Sequence, residues 1–295
     1  MSRWSARRAR FRALLNEDAC FHPASVFDPL SARIAEDLGF ESSMLAGSVA
    51  SLAVLGAPDL IVLTLTELAE QTLRISRAGE LPLLVDADHG FGNAHNVMRT
   101  VEALENAGVA ALSIEDTLLP QPFGQTRPQL ISLDEGVGKM RAALTARSDP
   151  SLVIAGRTHL GITDVDDAIR RITAYAAAGV DAIFLVGVKT REDLAALSAS
   201  VDVPLIVGGH AAELQDRDYL AGQRVRIALQ GHKPFMAAVQ GVYETLRALR
   251  EGKVPADIQS TLSNELLKSL TREADYARVT TDCLATRTGG GANRS

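Results

Sequence analysis

The stretch Leu81-Pro-Leu-Leu-Val-Asp-Ala-Asp-His-Gly-Phe-Gly-Asn93 decides how the chain is read. Residues 83–85 are a short apolar run of the kind that forms a strand buried on both faces. The run leads directly into Asp86 and Asp88, then into Gly90 and Gly92. A parallel α/β sheet gathers polar groups at the carboxyl ends of its strands, where such folds bind ligands. Side-chain direction alternates along a strand, so two carboxylates two residues apart leave its end pointing the same way. Oxygen donors suit Mg²⁺ or Mn²⁺ rather than zinc. The plainer reading has Asp88 capping the next helix and Asp86 pairing with a base. It is the weaker one, because nothing apolar separates the acids from the turn.

The same pattern repeats outward in both directions. Upstream, residues 20–25 read as a short strand and turn. Asp28-Pro29 opens a helix running to Gly39 by the cap-then-proline rule, and residues 43–46 form a second strand followed by Gly47-Ser48. Ala57-Pro-Asp59 breaks the chain before a helix from about Thr66 to Arg77. Downstream, Val97, Val101 and Leu104 fall at helical spacing and Gly108 ends that helix. Strands follow at 109–114, 152–156, 181–186, 203–207 and 224–229. Ala107-Gly-Val-Ala-Ala-Leu112 returns as Ala178-Gly-Val-Asp-Ala-Ile183, two strand–helix units later. Eight buried strands alternating with helices predict a (β/α)₈ TIM-type barrel. No G-x-G-x-x-G follows the first strand, which argues against a dinucleotide fold.

With 295 residues and 46% hydrophobic content, the chain suits one α/β-barrel domain, 1–295. Within it the expected parts are a leading helix at 1–17, the barrel at 18–250, C-terminal helices at 251–286 and a disordered tail at 287–295. The Arg-rich opening could pass for an organelle presequence. An amphipathic helix with Trp4, Phe11 and Leu15 packed and its arginines solvated is the better reading. Thirty Lys and Arg against 36 Asp and Glu give a net charge of −6, with no footprint for nucleic acid. No apolar run approaches the ~20 residues of a membrane span. Cys20 and Cys283 lack metal spacing, so the chain is expected to be reduced and cytoplasmic, with Cys20 a buried small hydrophobe.

A barrel draws its active site from the residues just after each strand. Those positions hold Ser25 and Phe27, Gly47 and Ser48, Asp86 and Asp88, Glu115 and Asp116, Arg157 and His159, His210, and His232. The set combines acids, one strong cation and histidines, without a nucleophile triad, a Walker loop or zinc spacing. It suits a small anionic substrate: a metal to chelate it, Arg157 to offset its charge, and Ser48 with nearby N–H groups to hold an oxyanion. Against this, Arg157 could serve only to neutralise the acids, and Ser48 could be a helix cap. Asp28 reads best as a cap, and His22, His89, His95 and His210 as structural or supporting groups. Residues 118–131 form a long segment with Pro, Gln and Gly, the composition of a lid or binding loop.

Asp86-x-Asp88-x-Gly90-Phe-Gly92-Asn93, Ser113-Ile-Glu115-Asp116 and Gly156-Arg157 together resemble the phosphoenolpyruvate mutase/isocitrate lyase superfamily. So do Asp28-Pro-Leu-Ser-Ala-Arg33 and Gly47-Ser48 with Gly56-x-Pro-Asp59. The resemblance covers nearly the whole chain. It implies Mg²⁺, a 2-oxo acid enolate, and a homotetramer built as a dimer of dimers with swapped C-terminal helices. The superfamily's C–C lyases carry a Cys-containing lid; here Thr117-Leu-Leu-Pro-Gln-Pro-Phe-Gly124 has no Cys, Lys or His. The oxaloacetate decarboxylase branch is the most similar, through residues 114–120, 26–29, 47–51, 136–139 and 185–188 and through Gly231-His232. His159 and the segment 208–211 depart from that branch at the mouth.

What the resemblance implies is decarboxylation of oxaloacetate to pyruvate and CO₂. Asp86 would bind Mg²⁺ directly, and Asp88 and Glu115 through water. Asp59 is placed equally well as a helix-start residue or near the metal waters. Gly47, Ser48 and Arg157 would bind the carboxylate and oxyanion, and His232 would orient or protonate the enolate. The alternatives are another superfamily activity or an inactive barrel used for binding. The first covers a substituted malate or methylisocitrate-type lyase, a phosphonopyruvate hydrolase and an oxaloacetate hydrolase.

Overall fold

The computed structural model describes residues 4–209, 211–258 and 262–284. The predicted disordered tail and His210 lie outside them. Eight parallel strands follow one another in sequence order: β1 (Ala24–Ser25), β2 (Ser43–Leu45), β3 (Leu83–Asp86), β4 (Ala111–Glu115), β5 (Val153–His159), β6 (Ala182–Val186), β7 (Leu205–Gly208) and β8 (Val225–Ala228). Phe21, just before β1, bridges Ile227 of β8 in parallel. Its N–H donates to the Arg226 carbonyl at 2.8 Å, and its carbonyl accepts from the Ala228 N–H at 2.9 Å. That pair of bonds brings the last strand round to the first, the closure expected of a TIM-type barrel.

The helices are α1 (Ser5–Asn16), α2 (Pro29–Asp37), α3 (Gly47–Leu55), α4 (Leu65–Ser76), α5 (Ala94–Asn106), α6 (Leu133–Ala146), α7 (Val165–Ala178), α8 (Arg191–Ala199), α9 (Arg217–Gly222), α10 (Lys233–Arg250), α11 (Asn264–Leu270) and α12 (Glu273–Val279). Local chemistry starts several of them. Asp28 and Ser31 form a reciprocal capping box before Pro29, so the capping reading of Asp28 holds, and Thr64 and Glu67 form another at α4. Helix α3 was not expected from sequence. It is apolar nearly all round and lacks the polar face that a periodicity argument needs.

The chain forms two compact units, residues 1–239 and 240–295. The first holds the barrel and its core, in which Leu84, Val85, Leu112, Ile154, Ile183 and Ile206 are fully buried. In the second, α11 buries Leu270 alone and α12 buries no residue. Helix α10 also buries nothing, and along it Met236, Val239, Tyr243 and Leu246 recur at helical spacing, each at least half exposed. Among the described residues no helix is long and apolar enough to cross a membrane.

The arginines of α1 correct the sequence expectation. Phe11 and Leu15 pack as expected, but Arg7 and Arg8 are buried rather than solvated. Arg8 donates to the Val109 carbonyl at 3.0 Å, to the Glu105 carbonyl at 2.6 Å and to Asp149 Oδ2 at 2.7 Å. Arg7 pairs with Glu80 at 2.7 Å, and Arg12 with Asp181 at 2.8 Å. Guanidinium groups offer five donors in a fixed fork, so α1 satisfies carbonyls at the amino-terminal edge of the strands while its apolar face covers the barrel's lower end. The carboxylate most committed to this clamp is Asp149. Burial opposes its charge, but hydrogen bonds from Ser151, Arg8 and Ser5 outweigh it and hold the carboxyl below its ordinary 3.8. A depressed carboxylate contributes stability that is present above its unfolded pKa and lost as pH falls through the folded one. Asp149→Asn should therefore lower unfolding free energy by about 2 kcal/mol at pH 7. In denaturant titrations the gap between variant and parent should close as pH falls below about 4; a gap independent of pH would contradict the assignment.

Candidate active site

Strand register sets the centre of the site. Asp86 at the end of β3 lies opposite Ser113 on β4, and Glu115 at the end of β4 lies opposite Arg157 on β5. Arg157 is inside β5 rather than after it, because that strand continues to His159. Its guanidinium bridges the two acids, Nη1 to Asp86 Oδ2 at 2.5 Å and Nη2 to Glu115 Oε2 at 3.1 Å, and lies 5.3 Å from the Phe184 ring centre. Burial works against its charge, but Asp86 and Glu115 prevail and raise its pKa above the usual arginine value. The other Asp86 oxygen accepts from the Asp88 N–H at 3.2 Å and the Ser113 hydroxyl at 3.3 Å.

Asp88 joins this pair from an unusual backbone position, with φ +47°, followed by positive φ at Gly90, Phe91 and Gly92. Gly47, the first residue of α3, stands against it: a Cβ there would lie 2.3 Å from Asp88 Oδ1. The amino terminus of α3 thus meets the acids with Ala46 at its cap position and no side-chain cap. Ser48 is the second residue of that helix and half-buried, so it is not the cap. The uncapped N–H groups of the first turn are natural donors to an anion.

Burial leads, and like charge adds to it. Burial, then Asp86, Glu115 and Asp59, push Asp88 well above the usual carboxylate range. Glu115 is raised chiefly by burial, with Arg157 opposing. Asp59, exposed in the loop after α3, is raised by partial burial and by the charge of Asp86. Four carboxylates share one guanidinium, an excess that a divalent cation with oxygen preference would relieve. The acids fit such an ion by donor chemistry, although among the described residues no three side chains already converge as a metal cluster.

Of the histidines, His232 belongs to this site. Its Nδ1 lies 3.1 Å from Ser25 Oγ, tying the loop after β8 to β1. Burial lowers its pKa and the Asp86 charge opposes that. His159, two residues beyond Arg157 on β5, accepts from the Gly161 N–H through Nδ1 at 2.8 Å. It is lowered by burial and by Arg157. His22 is occupied by the Ala228 carbonyl at 2.7 Å, and His95 lies exposed in the first turn of α5. Phe27 packs edge-on against Phe235. Cys20 is buried and its thiol is pushed up to about 11 by that burial.

Asp116 does not join the cluster. It turns to the opposite side of the chain from Glu115, as period-two alternation requires, and is fully buried. There it accepts from Tyr175 Oη at 2.7 Å and Arg171 at 3.2 Å, while Arg171 also donates to the Ile131 carbonyl at 3.0 Å. Backbone bonds from Ile131 N–H to Asp116 and from Leu118 N–H to Gln129, both 2.8 Å, complete the base of the 118–131 loop. Its tip is exposed, Phe123 fully so. The loop's base is fixed by these bonds while its tip is exposed.

Sequence reasoning placed Gly47 and Ser48 at the site but missed the helix they begin, and it left unread Lys139, whose Nζ donates to the His89 carbonyl at 3.0 Å. The signal for Lys139 was present: it falls on the buried stripe of α6 with Gly136, Met140 and Ala143.

Comparison with known proteins agrees with this geometry. The family model described as phosphoenolpyruvate phosphomutase matches residues 11–250. A protein of Rhodopseudomonas palustris (strain BisB18) named oxaloacetate decarboxylase is 59% identical over 272 residues, covering 92% of this chain and 94% of its own. One from Bradyrhizobium diazoefficiens with the same name is 59% identical over 271 residues, with the same coverages. Among solved structures, oxaloacetate acetylhydrolase with 3,3-difluorooxalacetate superimposes with a TM-score of 0.85 at 27% identity, covering 96% of this chain and 99% of that one. Phosphonopyruvate hydrolase with oxalate and Mg²⁺ gives a TM-score of 0.83 at 29% identity, covering 95% and 99%. The chain belongs to the phosphoenolpyruvate phosphomutase family, within the PEP mutase/isocitrate lyase superfamily.

Proposed function

We propose that this protein decarboxylates oxaloacetate to pyruvate and CO₂ with Mg²⁺ as its cation. The observation that carries the reading is the 59% identity, over 92% of the chain, to enzymes named oxaloacetate decarboxylase. The buried Asp86–Arg157–Glu115 arrangement supplies the matching chemistry. Asp86, Asp88 and Glu115, with Asp59 at the edge, are the residues to hold the ion, and Mn²⁺ is the natural substitute. When bound, the ion supplies Lewis acidity toward the negative charge that develops at the substrate oxygens.

The chain's own residues do the rest. Arg157 and the uncapped N–H groups at Gly47 and Ser48, with the Ser48 hydroxyl, hold the 1-carboxylate and the 2-oxygen. The C3–C4 bond then breaks with its electron pair passing to the enolate and C4 leaving as CO₂. No base is required for that step, which accords with a 118–131 loop that carries no Cys, Lys or His. His232, aligned by Ser25, orients the enolate or returns the proton to C3. A lyase that breaks a C–C bond to an alcohol carbon needs a proton acceptor, and this lid offers none.

Self-association belongs to the same reading, as a dimer of dimers exchanging C-terminal helices. Its support is the apolar stripe of α10 and a cavity of about 580 Å³ beside α2, lined by Phe27, Leu30, Ile34 and Leu38. Cytoplasmic operation fits two cysteines that form no disulfide.

Purified protein given oxaloacetate and Mg²⁺ should release pyruvate well above the metal-only rate. EDTA should abolish the release, and His232→Ala should reduce it by roughly 10²-fold or more. Production of oxalate and acetate, or no rate above background, would refute the assignment. Light scattering on the eluting protein should give four times the 31.4 kDa chain mass; a monomer would refute the assembly.

A further inference from the structure

The turn that carries Asp88 is an unfavourable piece of backbone, and three neighbouring elements hold it. Its successive carbonyls are each matched to a donor. The Asp88 carbonyl accepts from the Glu115 N–H of β4 at 2.8 Å. The His89 carbonyl accepts from Lys139 Nζ of α6 at 3.0 Å. The Gly90 carbonyl accepts from Thr100 Oγ1 of α5 at 3.1 Å. Two of these donors are neutral and incidental to elements that would be there anyway. Lys139 is neither. It is 3% exposed, and a buried ammonium group is a costly way to satisfy one carbonyl. Burial disfavours its charge, which Glu135, Glu115 and Asp116 favour. Arg157 contacts Asp86 and Glu115 directly, whereas Lys139 reaches the cluster through the backbone of the turn.

We propose that Lys139 is a positioning residue that sets the protein's affinity for its divalent cation by clamping the Asp88–Gly92 turn through the His89 carbonyl. The clamp keeps Asp88 against Gly47 and in line with Asp86. Without it, the positive-φ residues Asp88, Gly90, Phe91 and Gly92 can relax and draw the carboxylate away. Supporting groups of this type commonly change metal affinity by roughly 10–100-fold when removed. The inference rests on the reading of the acids as a cation site.

The test measures free Mn²⁺ by electron paramagnetic resonance as full-length protein is titrated, so the readout does not depend on turnover. Lys139→Met should weaken Mn²⁺ binding at least 10-fold while circular dichroism shows a folded barrel. Lys139→Arg, which keeps charge and donor, should stay within about 3-fold of the parent. Should Lys139→Met fail to fold, Lys139→Gln is judged by the same threshold. Parent-like affinity in the neutral variant, with or without a lower melting temperature, would reduce Lys139 to a structural residue and overturn the proposal. No Mn²⁺ binding by the parent would overturn the cation reading itself, and this proposal with it.

Discussion

The buried pairing of Arg157 with Asp86 and Glu115 is the constraint on which the site depends. Carboxylates this enclosed are unfavourable unless their charge is compensated. One guanidinium compensates part of it, through bonds of 2.5 and 3.1 Å. Burial first, and neighbouring acids second, push Asp88, Glu115 and Asp59 upward. A site with surplus buried anion and one committed cation is poised for a divalent ion, and an anionic substrate then becomes tolerable beside it. Charge balance, more than any single residue, ties binding to chemistry here.

The barrel makes that balance possible by dividing labour between its two ends. At the amino-terminal end, Arg7, Arg8 and Arg12 of α1 are spent on stability, tied to Glu80, Asp149 and Asp181. At the carboxyl end, Asp86 and Glu115 gather around Arg157 instead. Asp116 marks the boundary between these uses. One residue from Glu115 and facing the other way, it anchors Tyr175, Arg171 and the base of the 118–131 loop.

Much of this was legible in the sequence because the governing rules are local. An apolar run ending in acids located β3 and β4, and Asp28-Pro29 located a helix start. Asp86 and Glu115 followed from strand ends, and Arg157 from a strand read as ending at Gly156, short of its true end at His159. What stayed hidden depends on tertiary context. Helix α3 has no polar face, so periodicity is silent there. The arginines of α1 read as solvated because sequence cannot show carbonyls waiting beneath them. The polar residues Thr158 and His159 masked the continuation of β5. Asp116 could have been separated from Glu115 by alternation, and Lys139 by its place on a buried stripe; both signals were present and unread.

On the proposed reading, the acids and Arg157 form one site for a divalent ion and a planar 2-oxo acid enolate. Calorimetric titration with oxalate, a planar dicarboxylate shaped like that enolate, tests it most directly. Oxalate should bind at least 10-fold more tightly with Mg²⁺ present than with EDTA, and Asp86→Asn should remove the difference. Equal oxalate affinity with and without Mg²⁺ in the parent protein would contradict it.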